Sequence, residues 1–142
     1  MFYLRDMTHY RTEYSIETTA SPEAIWQLFI DVPNWKRWNA GIYRIEMTEP
    51  FATGSEFEMQ PTGGEPLRSR LVDVAPQRHF VDETRLGDLV VTVAHRLEPI
   101  ASGTRITYAV EATGPGSEEV GPMVSGDFPD VLQALRAYVE RA

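Results

Sequence analysis

The chain has no cysteine, which excludes disulfides, thiolate zinc sites and cysteine nucleophiles together. No run approaches the roughly 20 apolar residues of a membrane span, so no stable membrane insertion is expected. Cations are scarce: 13 Lys and Arg stand against 21 Asp and Glu, a formal charge of −8. An acidic surface repels phosphate backbones, and no basic stripe interleaves with aromatics, which argues against nucleic acid as a partner. The opening Met1-Phe2-Tyr3-Leu4-Arg5-Asp6 has neither the apolar stretch of a signal peptide nor a twin-arginine pair, so a cytoplasmic location is expected. His9, His79 and His95 lack metal-ligand spacing. No Gly-rich loop opens a helix and no nucleophile elbow is present. Neither a metal nor a cofactor is expected.

What the chain does have is enough length for one domain spanning residues 1–142, with a core that needs no staple. A first strand is predicted at 13–19, where Tyr14, Ile16 and Thr18 alternate with Glu13, Ser15 and Glu17. Ser21-Pro22-Glu23 reads as an N-cap, a proline at the first helical position and an acid in the first turn. Ile25, Leu28 and Phe29 give that helix its apolar face, and Asp31-Val32-Pro33 ends it. A second short helix is predicted at 34–38. Turn chemistry at Thr53-Gly54, Thr62-Gly63-Gly64, Ala75-Pro76, Gly87-Asp88 and Ser102-Gly103 then separates strands at 42–48, 55–61, 66–74, 79–86, 89–97 and 104–112. Consecutive hairpins predict an antiparallel meander. Phe128, Val131, Leu132, Leu135, Tyr138 and Val139 recur at helical spacing in a final helix. Its start, near Ser117 or near Asp127, is left open, because Pro129 inside a continuous helix would kink it.

This element order predicts an α+β helix-grip fold: a seven-stranded curved antiparallel sheet, two short helices and a long C-terminal helix around a cavity. The stretch Ala20-Ser21-Pro22-Glu23-Ala24-Ile25-Trp26, then Asp31, Trp35 and Trp38, resembles the opening of the START/SRPBCC superfamily. Within it the chain is similar to the polyketide cyclase/dehydrase and lipid-transport family, of birch-pollen-allergen-like fold. Phe51-x-x-Gly54, Pro76, Phe80-x-Asp82-Glu83, His95-x-Leu97-Glu98, Gly103-Thr104-Arg105-Ile106 and Thr113-Gly114-Pro115 extend the resemblance over nearly the whole chain. The resemblance implies a cavity for hydrophobic ligands. It implies no catalytic motif, since the family includes cyclases, aromatases and carriers alike.

Which side chains face inward follows from pairing alone. A two-residue Gly87-Asp88 turn pairs Leu86 with Leu89, Thr84 with Val91, Asp82 with Val93 and Phe80 with His95. Opposed residues share a face, and Leu89, Val91, Val93 and Leu97 mark it as inward. A longer loop over 98–103 pairs Leu97 with Thr104, which sets Ile106 beside His95 and Tyr108 beside Val93. The expected rows are Phe80–His95–Ile106 and Asp82–Val93–Tyr108, with Asp82 and Tyr108 on the diagonals of His95. Such groups suit general acid–base work on a carbonyl or hydroxyl. His95, Asp82 and Tyr108 are therefore the candidate catalytic residues. Trp38, Phe57, Met59, Phe80, Thr84, Val93, Ile106, Met123, Phe128 and Leu132 complete the expected ligand-binding set, with Met123 and Phe128 near a flexible mouth. The expected partner is a small hydrophobic or aromatic molecule, bound by a monomer or homodimer. The alternatives are a cyclase, aromatase or dehydrase using the His/Asp/Tyr cluster, and a protein-interaction module using the sheet face or helix end.

Overall fold

The computed structural model describes residues 8–141; residues 1–6, read above for a leader, lie outside that range. The strands are β1 (His9–Thr18), β2 (Ile42–Glu46), β3 (Glu56–Pro61), β4 (Leu67–Ala75), β5 (His79–Leu86), β6 (Leu89–Ile100) and β7 (Gly103–Thr113). They form one seven-stranded sheet in the order β1-β7-β6-β5-β4-β3-β2, antiparallel at every step. The expected meander is therefore present, with β1 added beside β7. Irregular pairing between Ile42 and Arg44 and between Leu71 and Asp73 bends the sheet, because an extra residue on one strand must be absorbed as curvature. β1 starts earlier than its apolar alternation predicts, since Tyr10 and Thr12 pair with Ala112 and Val110.

The hairpin between β6 and β7 departs from expectation. Its loop is shorter, and β6 continues through Pro99, which pairs with Thr104, to Ile100, which pairs with Gly103. A proline inside a strand removes a ladder donor, so it is tolerated only where that donor has no neighbour to serve. Here Leu97 N–H donates to the Arg78 carbonyl at 2.8 Å, just before β5 begins at His79. Pro99, two residues on, faces the same side beyond the end of β5. Gly103 makes the tight turn possible: its φ is 148°, and a Cβ there would collide with the Thr18 carbonyl oxygen.

Helix α1 (Pro22–Ile30) is capped by Ser21, whose hydroxyl accepts from Ala24 N–H at 3.1 Å, and it buries Ile25, Trp26 and Phe29. A 3-10 helix, Val32–Arg37, follows and buries Val32 and Trp35. Trp35 Nε1 donates to the Phe29 carbonyl at 2.9 Å, which satisfies the indole as burial requires. The C-terminal region is two helices, α2 (Ser117–Ser125) and α3 (Phe128–Arg141). The break between them resolves the proline question: Pro129 sits in the first turn of α3, where its missing N–H would have no partner anyway. α3 turns Phe128, Val131, Leu132, Leu135 and Val139 into the core, the same cluster that holds the inward sheet residues Leu71, Ile106, Val110 and Ala112, all nearly or fully buried. The result is a helix-grip arrangement.

Candidate functional site

The Gly87-Asp88 turn, with Gly87 at φ 63°, fixes the β5–β6 pairing as the sequence predicts: Phe80 opposes His95, Asp82 opposes Val93 and Thr84 opposes Val91. Across the next pair the longer β6 moves the register by two residues. Tyr108, not Ile106, opposes His95, while Ile106 opposes Leu97 and Val110 opposes Val93. A shift of two keeps every side chain on its predicted face, whereas a shift of one would have turned the cluster outward. The rows are thus Phe80–His95–Tyr108 and Asp82–Val93–Val110. The first row continues into β1, where Tyr14 opposes Tyr108.

His95 is held on both faces. Phe80 stacks on its ring at 3.9 Å with planes 9° apart, and Tyr108 meets it edge-on at 4.6 Å. Phe29 adds an edge contact at 6.0 Å. Its Nδ1 lies 3.3 Å from the Phe80 carbonyl oxygen. A carbonyl only accepts, so Nδ1 carries the proton and the neutral ring leaves Nε2 bare. That nitrogen is 3.9 Å from Asp82 Oδ2, too far for a direct hydrogen bond. Asp82 therefore stands on the diagonal of the histidine without fixing its tautomer; the backbone does that. The Tyr108 hydroxyl is buried and has no hydrogen-bond partner.

Burial sets the charge states. It lowers the His95 imidazole to about 3, against weaker opposing effects of the Phe80 and Val93 backbone. It raises the Asp82 carboxyl to about 7. The Tyr108 phenol is pushed above its ordinary value, first by burial and then by the charge of Asp82. Near neutral pH the cluster holds a neutral imidazole, a carboxyl poised between its two forms and a phenol that can only act as neutral donor or acceptor.

Around this row the other predicted residues divide. Phe57, Ile106, Phe128 and Leu132 are buried, and Met59, Thr84 and Val93 are half-buried on the inward face. Phe128 touches Tyr108 edge-on at 5.5 Å. Trp38 packs between Phe29 and Trp35 as core. Met123 is a correction: at 78% exposure it lies on the solvent side of α2, because the buried stripe of that helix is Ser117, Gly121 and Ser125. Two aromatics were missed. Phe29 reaches His95, and Phe51, named above only within the Phe51-x-x-Gly54 resemblance, packs on Trp26 at 5.8 Å and Phe80 at 5.2 Å. Their contacts span strands and helices distant in sequence, so only their aromatic character signalled them. His79 and His9 point outward and meet Asp73 at 2.9 Å and Glu111 at 2.7 Å. Surface depressions of about 600 Å³, between Pro22, Pro76 and Pro99, and about 280 Å³, between Thr18, Ser102 and Glu140, both lie apart from the His95 row.

The family model for polyketide cyclase / dehydrase and lipid transport matches residues 9–140. The chain belongs to that family. No curated protein matches it in sequence. Among solved structures, the di-domain ARO/CYC StfQ from the steffimycin biosynthetic pathway superposes with a TM-score of 0.82 at 16% identity, over 99% of this chain and 53% of that one. The chain thus spans about half of that di-domain protein. Norcoclaurine synthase from Thalictrum flavum gives 0.75 at 14% identity, over 97% of this chain and 91% of that enzyme. Ara h 8.0201 gives 0.74 at 16% identity, over 94% and 99%. At these identities the likeness is one of fold. No helix of the described residues is long and apolar enough to cross a membrane.

Proposed function

We propose that this member of the family binds a small hydrophobic or aromatic molecule between the sheet and the C-terminal helices, with its polar atom at the His95 row. The observation that carries this reading is the Tyr108 hydroxyl, buried without a partner. An unsatisfied buried polar group costs about 1–3 kcal/mol, a cost that a ligand oxygen would remove. The half-buried inward strip of Met59, Asp82, Thr84 and Val93 offers the approach, and the aromatic rings around His95 offer an apolar wall. Family membership and the likeness to StfQ and norcoclaurine synthase support the same reading. The test is a titration of wild type and His95→Phe with an aromatic hydrocarbon and its hydroxylated counterpart, with thermal melts as control. His95→Phe is expected to stay folded, to bind the hydroxylated probe more weakly and to spare the hydrocarbon. Failure of wild type to bind either probe would contradict the proposal.

A second reading, as an enzyme of the cyclase or dehydrase type, is favoured by one observation. Asp82, raised by burial to about 7, populates both protonation states near neutrality, as a general acid–base group must. Turnover of a candidate substrate that disappears in Asp82→Asn while binding persists would select this reading over a carrier.

A further inference from the structure

Resting on the ligand-binding reading above, we infer that the interior site selects a neutral hydroxyl, such as a phenol, and rejects a carboxylate of the same shape. The inference starts from what the row lacks. His95 Nε2 is an acceptor without a donor: its ring proton is spent on the Phe80 carbonyl, and Asp82 stands 3.9 Å off. Tyr108 Oη, on the strand directly opposite, is a donor without an acceptor. A hydroxyl both donates and accepts, so one hydroxyl can serve the imidazole and the phenol together. A carbonyl would satisfy Tyr108 alone. A carboxylate would do the same, and would bring a charge.

That charge would find no counterpart. The inward positions of β1 are Tyr10, Thr12, Tyr14, Ile16 and Thr18. Those of β5 to β7 add apolar residues, threonines, Asp82, His95 and Tyr108. Among the described residues no Lys or Arg is buried. The arginines of these strands lie on the outer face, where Arg96 meets Glu13 at 3.2 Å and Arg105 meets Glu17 at 2.9 Å and Glu98 at 2.8 Å. An anion entering the site would lose its water beside the carboxyl of Asp82 with no cation to replace it.

The experiment titrates the protein at neutral pH with naphthalene, naphthol and naphthoate, which share one ring system, and repeats the series on Tyr108→Phe. Wild type is expected to bind naphthol about tenfold more tightly than naphthalene, the ordinary gain from one well-made buried hydrogen bond. Naphthoate is expected to bind no better than naphthalene. In Tyr108→Phe naphthol should fall towards naphthalene while naphthalene is unmoved. Naphthoate binding as tightly as naphthol, or naphthol no better than naphthalene, would overturn the inference and leave the ligand-binding reading standing. If none of the three binds, both fall. The wild-type ranking alone decides these outcomes, whatever the fate of the variant.

Discussion

The two faces of the central strands treat polar groups in opposite ways. On the outer face, charges are exposed and paired: Arg96 with Glu13, Arg105 with Glu17 and Glu98, Arg68 with Glu56, Arg44 with Glu58. On the inner face, Asp82, His95 and Tyr108 are desolvated and leave bonding capacity unused. Water supports charge outside; burial drives the inner groups towards neutrality. The same alternation of residues along β5, β6 and β7 builds both. The difference teaches where function lies: a surface whose polar groups are already matched has little to offer a ligand, while an interior with unmet donors and acceptors has a reason to bind one.

The comparison breaks most visibly where the inner face is purely apolar. Leu135, fully buried on α3, is expected to lose about 2–5 kcal/mol of stability as Leu135→Ala, the cost of a cavity in a packed core; urea denaturation checks this.

The inner polar pair should then separate by pH. His95 binds a proton at the ordinary 6.5 when unfolded but only at about 3 when folded. Its stabilising effect is present above 6.5 and is lost as pH falls towards 3. Asp82 has the opposite sign: it ionises at 3.8 unfolded and about 7 folded, so stability is highest below 3.8 and falls as pH rises to 7. Between about pH 4 and 6.5 the two nearly cancel in wild type. Asp82→Asn should uncover a stability that rises with pH over that window, and His95→Gln one that falls, each by up to about 1.4 kcal/mol per pH unit. Denaturation midpoints measured across the window decide it, and variants that track wild type would refute the opposed shifts.

Removing the orphan hydroxyl is a smaller change. Tyr108→Phe should leave the ligand-free protein as stable as wild type or more stable by about 1 kcal/mol, since the ring stays and an unmet donor goes. A thermal melt showing clear destabilisation would mean that the hydroxyl has a partner. Least of all, Arg105→Ala on the outer face should shift the melt within experimental error, because exposed ion pairs contribute little.

Much of this was legible in the sequence, and the limits have physical causes. The β5–β6 pairing was readable residue by residue, because a two-residue turn leaves one register. The β6–β7 pairing was not, because Pro99 looks like a loop residue unless one knows that β5 has already ended beside it. The predicted faces survived since the error was an even number of residues. Met123 was misplaced because the interior of α2 is lined by Ser117, Gly121 and Ser125, small residues that leave no apolar stripe to read. Phe29 and Phe51 were identifiable as aromatic, but their meeting with His95 and Phe80 depends on how helix and loop fold over the sheet.

The most direct measurement is a crystal structure of the protein soaked with naphthol. The naphthol oxygen is expected within hydrogen-bond distance, about 3 Å, of the Tyr108 hydroxyl, with its ring against the Phe80–His95 stack. Naphthol found only in the surface depression beside Pro22 and Pro99, with the Tyr108 hydroxyl bonded to a protein group, would contradict the assignment of this row as the binding site.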